Sequence, residues 1–184
     1  MTTRRAPILA AAALAVTASL LAFGPTATAS AACTAADRPA HQITSKQGRK
    51  ATLCLINKQR AKHGMPKLKA RFALRKAAKR HTRRMLKKRC YSHRCPGEPD
   101  LVGRISGTSY LPCNCAWGVG ENIAYGFEQR SSPRAIVKAW MKSAPHRANI
   151  LNRSFEHIGV GVKPGAPLGG SRAATYTTTF GYLR

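Results

Sequence analysis

The order of its segments predicts that this 184-residue chain folds as an α+β domain, with helices packed on a small antiparallel sheet. Three observations lead there. Apolar residues recur at helical spacing through the first half, between Ala51 and Lys88. Two β-rich runs, His157 to Lys163 and Ala173 to Tyr182, end the chain on either side of a turn-rich Pro164 to Gly170. A third helical segment begins at Ser132-Pro133, a favourable N-cap and first-turn pair. A hydrophobic fraction of 43% supports a real core and excludes a disordered polycation, in spite of a formal net charge of +26.

The elements follow in order. Met1 to Arg5 are basic, Ile8 to Phe23 are apolar, and small-residue sites end at Ala29 and Ala31. That three-part pattern is expected of a secretory signal peptide over residues 1–31. The apolar stretch is short for a membrane span and lacks a basic stop-transfer flank. Residues 32–50 read as an N-terminal tail and residues 51–184 as the folded domain. Ala51 to His63 predicts a first helix, closed by Gly64 with Pro66 beyond. Phe72 to Lys88 predicts a second, with Leu74, Ala77, Ala78, His81 and Met85 as its buried stripe. Cys90 to Gly120, rich in Gly and Pro, reads mainly as loop. Ile136, Val137, Trp140 and Met141 give the third helix its apolar face; Pro145 ends it, and His146 to Leu151 adds a short helical turn.

All six cysteines (Cys33, Cys54, Cys90, Cys95, Cys113 and Cys115) lie beyond the expected cleavage site, and an even count outside the cell favours disulfides. Six cysteines allow about 15 pairings. The preferred reading ties Cys33 to Cys54, fastening the tail to the first helix, and leaves the other four to pair among themselves. Their spacing does not match a standard thiolate zinc site.

Charge is distributed unevenly. Between Lys46 and Arg94 there are 19 Lys and Arg and no acid. Arg75, Lys76, Lys79, Arg80, Arg83, Arg84 and Lys87 surround the buried stripe of the second helix, many of them like-charged neighbours at i+3 or i+4. That face is a candidate anion-binding surface for an acidic wall polymer or an anionic lipid surface. Nucleic acid is disfavoured, because secretion is expected and no nucleic-acid module is recognisable.

Several short segments, taken together, resemble one family. They are Leu55-Ile56-Asn57-Lys58-Gln59-Arg60, Ala77-Ala78-Lys79-Arg80-His81, Tyr91-Ser92-His93 and Gly120-Glu121-Asn122-Ile123-Ala124, then Trp140 to Leu151 and Phe155 to Val162. Their order and spacing are similar to the bacterial branch of the CAP superfamily, also called the SCP domain, named for cysteine-rich secretory, antigen 5 and pathogenesis-related proteins. The resemblance runs from about Leu53 to Gly181. It implies an α-β-α sandwich with a central cleft, secreted to the exterior or the cell wall. In that cleft the family gathers two histidines and two acids, which hold a divalent metal in some members. By motif, His93, His146 and Glu121 fall on three of those positions, whereas Ser143 stands where the animal and plant branch has the fourth acid. Glu156, in the following motif, is the candidate replacement.

The residues support part of this independently. Glu121 and Glu156 are two of only six acids, and each sits in an apolar or glycine-rich stretch where an unpaired carboxylate is costly. Neutral imidazoles at His93 and His146 suit zinc. His81 reads as core, and His41, His63 and His157 as structural or solvent-exposed. The sequence therefore points to a monomeric, secreted, non-catalytic binding module with a basic face and a cleft for a metal or small ligand. The competing reading is a metal-dependent hydrolase using His93, His146 and Glu121. No nucleophilic triad is legible, so no catalytic residue is assigned.

Overall fold

The computed structural model describes residues 1–2, 32–111 and 114–184. Contacts divide the chain into Met1–Ala31 and Ala32–Arg184. The expected signal peptide, beyond its first two residues, lies outside the described residues, and the folded domain is the second unit.

That unit contains α1 (Ser45–Lys62), β1 (Lys69–Ala70), α2 (Phe72–Lys87), α3 (Leu101–Ser106), β2 (Trp117–Phe127), α4 (Pro133–Lys142), α5 (Ala144–Leu151), β3 (His157–Pro164) and β4 (Ala173–Leu183). The strands form one sheet in the order β1-β3-β4-β2. β2 and β3 both pair antiparallel with β4, but short β1 runs parallel to β3, so the sheet is mixed. Side-chain alternation along β3 then assigns the two layers. Ile158, Val160 and Val162 face a core built with Leu55 and Ile56 of α1, Trp140 of α4 and Ile150 of α5. Gly159 and Gly161 face α2. A Cβ on Gly159 would overlap the backbone of Leu74 and Arg75, and one on Gly161 would lie 2.7 Å from the Ala78 carbonyl. The glycines therefore let α2 lie directly on the sheet. The result is the α-β-α sandwich expected from the resemblance.

The helices start where local chemistry permits. α1 begins six residues ahead of the expected Ala51, because Thr44 and Gln47 form a reciprocal capping box: the Gln47 amide donates to Thr44 Oγ1 at 3.2 Å, and the Thr44 amide to Gln47 Oε1 at 2.8 Å. The Lys46 to Lys50 stretch has no apolar rhythm, which hid this turn. Gly48 belongs there because a side chain would press on Val162. Ser132 caps α4 as expected. The break before α5 falls at Ser143, however, and Pro145 sits in the first turn of α5, where its missing N–H is harmless.

The stretch expected to be loop holds two elements. Asp100 caps α3 through the Gly103 amide at 2.8 Å, and β2 starts at Trp117, three residues before the expected loop ends. Its glycines, which signal turns in isolation, serve close packing: a Cβ on Gly118 would strike Tyr182. Cys33–Cys54 and Cys90–Cys95 are disulfides, the first as preferred. Cys115 is also disulfide-bonded, while Cys113 lies outside the described residues. Arg60 is fully buried and has no acidic partner among the described residues. Its guanidinium donates to the carbonyls of Pro66, Ile150, Asn152 and Phe155, locking the end of α1 to the segment after α5.

Candidate functional site

The site is organised by the edge strand β2. Period-two alternation sends consecutive residues to opposite layers, so Glu121 points toward α2 and α3 while Asn122 points toward α5. Asn122 Nδ2 donates to the His146 carbonyl at 3.0 Å. Asn149 Nδ2 donates both to the Glu121 carbonyl (3.1 Å) and to Asn122 Oδ1 (2.9 Å). The Gly-Glu-Asn strand and the Pro-His-Arg-Ala-Asn helix are thus one hydrogen-bonded unit.

On the other face Glu121 is buried, its side chain 2% exposed, and both oxygens are engaged. Oε2 accepts from Arg104 Nη2 at 2.6 Å, and Oε1 lies 2.8 Å from His93 Nδ1. Arg104, 4% exposed, also donates from Nη1 to the carbonyls of His93 (2.8 Å) and Pro99 (3.2 Å), so one guanidinium fastens the loop that carries His93 to the carboxylate. The Cys90–Cys95 disulfide closes that loop. Behind it, His81 lies between two acids, with Nδ1 at 2.8 Å from Glu98 Oε2 and Nε2 at 3.7 Å from Glu121 Oε1.

His146 reaches the same edge from α5. Its Nδ1 lies 2.8 Å from Ser143 Oγ. Burial, and after it the charge of nearby His93, hold the His146 imidazole below its ordinary pKa. Ser143, where an acid was missing, therefore orients a histidine. Among the described residues neither His93 nor His146 has a protein partner on Nε2. The two rings belong to one partly exposed edge, His93 being 56% exposed.

Sequence reasoning brought His93, His146 and Glu121 to one place, and the structure does group them. It missed Arg104 and Glu98, whose positions in an apparent loop gave no periodic signal. The only available hint was that Glu98 is one of six acids. His81 is buried as expected, yet it belongs to this polar group rather than to an apolar core. Glu156 has other company: it is exposed and pairs with Arg184 at 3.6 Å. His157 is buried against the Tyr110 hydroxyl (3.0 Å), His63 is exposed beside the Gln59 carbonyl (2.8 Å), and His41 is exposed.

The geometry bears directly on a metal. Among the described residues no three His, Cys, Asp or Glu side chains converge to hold an ion. Glu121 is held by a guanidinium and by His93. Glu121 and Ser143 engage the Nδ1 atoms of His93 and His146 and so fix the two rings.

Comparison with known proteins agrees with this outline. The family model described as CAP, cysteine-rich secretory protein family, matches residues 53–180. An uncharacterised protein of Bacillus subtilis, YkwD, is 39% identical over 109 residues, which is 58% of this chain and 39% of that protein. The chain therefore spans well under two thirds of that relative's length. An outer surface protein of Borrelia burgdorferi matches with a TM-score of 0.63 at 20% identity, covering 77% of this chain and 97% of the other. An extracellular SCP-domain protein of Bacillus anthracis matches with a TM-score of 0.60 at 25% identity, covering 75% and 43%. With the family model spanning most of the folded unit, the chain belongs to the cysteine-rich secretory protein (CAP) family.

Proposed function

We propose that this protein is a secreted, non-catalytic binding module whose α2 face holds an anionic cell-wall polymer. One observation carries the reading: each of the six acids is engaged by a group other than the cations of that face. Asp37 pairs with Arg134 (2.5 Å), Glu128 with Arg172 (3.3 Å) and Glu156 with Arg184 (3.6 Å). Asp100 caps α3, and Glu98 and Glu121 face His81, His93 and Arg104. Arg75, Lys76, Lys79, Arg80, Arg83, Arg84 and Lys87 thus have no acidic partner among the described residues. Crowding is felt at Lys79, whose ammonium is held below its ordinary pKa by burial and then by Arg83, Arg49, Arg75 and Lys163. Arg49 and Lys163 extend the positive surface onto α1 and β3. Such a field is relieved by an external polyanion. Secretion is supported by the N-terminal pattern, by the disulfides, and by matched structures that are outer-surface and extracellular proteins.

The test is cosedimentation with purified anionic wall polymer across a salt series. Binding should weaken steeply with salt, and Lys76→Gln/Arg80→Gln/Lys87→Gln should flatten the logarithmic salt slope by roughly two to three. His93→Ala should leave it unchanged. Salt-independent association, or none, refutes the reading. A divalent metal in the cleft would rest on Nε2 of His93 and His146 and would polarise a bound water. Native mass spectrometry of the wild type beside His93→Ala/His146→Ala decides that point.

A further inference from the structure

The positive surface is not uniform. Between the later turns of α2 and helix α3 it sinks into a groove of about 430 Å³, bounded by Arg80, Arg83, Arg84 and Lys87, with Glu98 and Arg104 among its lining residues. Five cations therefore meet one carboxylate. One oxygen of that carboxylate is engaged by His81 at 2.8 Å and the Cys95 amide at 3.4 Å, and the other lies 3.9 Å from Arg104 Nε. The groove also has a built element. Arg104 is buried and anchored through Nη1 and Nη2, yet its Nε–H has no hydrogen-bond partner, the Glu98 carboxylate being 3.9 Å away. Buried donors are normally satisfied, and this one is shielded from solvent with the Glu98 carboxylate in ion-pair range. Arg80 is preset as well, with Nη1 on the Gly107 carbonyl at 3.1 Å.

We infer that the groove between α2 and α3 is a phosphate-binding subsite, which takes one phosphate group of the wall polymer while the rest of the α2 face holds its neighbours. This rests on the polymer reading above and names the group recognised. Phosphate is favoured over carboxylate by donor geometry. Arg80, Arg83, Arg84 and Lys87 line it from α2 and Arg104 from α3, which suits a tetrahedral anion whose oxygens accept from several donors. The subsite adds position to a field that by itself carries no selectivity.

The experiment is calorimetric titration of the purified protein with tripolyphosphate, and with citrate as a carboxylate comparator, at one fixed ionic strength. Two charge-matched variants are compared: Arg84→Gln/Lys87→Gln in the groove, and Arg75→Gln/Lys76→Gln on the same helix outside it. The subsite predicts saturable one-to-one tripolyphosphate binding, weakened about tenfold or more by the groove pair and less than about threefold by the other. Citrate should bind at least about tenfold more weakly than tripolyphosphate. Equal weakening by both pairs, or equal affinity for citrate, overturns the subsite. If tripolyphosphate does not bind while the polymer still does, the subsite falls and the surface reading stands. If neither binds, both fall.

Discussion

Replacing Arg104 by methionine tests whether the site is held together by a single guanidinium. Arg104 and Glu121 are 4% and 2% exposed, with 2.6 Å between Nη2 and Oε2. Methionine fills much of the volume but removes the charge and leaves two acids, Glu98 and Glu121, with histidines as their remaining ionisable partners. Breaking a buried pair from one side costs about 3–5 kcal/mol. Two carbonyl hydrogen bonds are lost with it, at about 1 kcal/mol each. The expected loss is therefore about 5–7 kcal/mol at pH 7. Urea unfolding under non-reducing conditions, followed by tryptophan fluorescence, measures it, since Trp140 is buried in the core. Arg104→Met/Glu121→Gln should be more stable than Arg104→Met alone by about 2 kcal/mol. A single variant within about 1 kcal/mol of wild type, or a double variant no better than the single, would refute the reasoning.

Two further expectations concern packing and pH. Gly159→Ala places a methyl against the backbone of Leu74 and Arg75, so α2 must lift from the sheet; a loss of about 3 kcal/mol in thermal unfolding is expected, and a loss below about 0.5 kcal/mol would show that the helix has room. His146 and His157 are both held below the ordinary imidazole pKa, first by burial and then by neighbouring charge. The unfolded chain therefore binds more protons than the native one, and stability present above about pH 6.5 should be lost as pH falls toward the native values. Urea midpoints from pH 8 to pH 5 check the sign, and a rise on acidification contradicts it.

The site was legible where its residues sit in short motifs. His93, Glu121 and His146 could each be picked out, because a histidine or scarce acid inside a compact segment is visible from neighbours alone. Arg104 could not be picked out: it is one of 32 bases in the chain, and its role depends on α3 folding back across β2. The same limit applied to β2 itself, where glycines that look like turn residues make room for Tyr182, Asn149 and Phe155. The reading of Ser143 as a gap was likewise incomplete, since its hydroxyl meets His146 only across the break between α4 and α5.

By itself the sequence determined what depends on near neighbours. The buried stripe of α2, the Ser132 cap and the terminal strand pair all follow from spacing and backbone preference over a few residues. The seven cations of α2 are equally local, because helical geometry displays them however the rest of the chain folds. Only the tertiary structure decided which groups pair. The acids are spread from Asp37 to Glu156, and folding engages each of them with a group other than the seven cations of α2. Chain reversal, not spacing, brings His81, Glu98, Arg104 and Glu121 together from α2, the following loop, α3 and β2. Electrostatic pairing acts through space at a few ångströms, so the sequence names the charges and the fold chooses their partners.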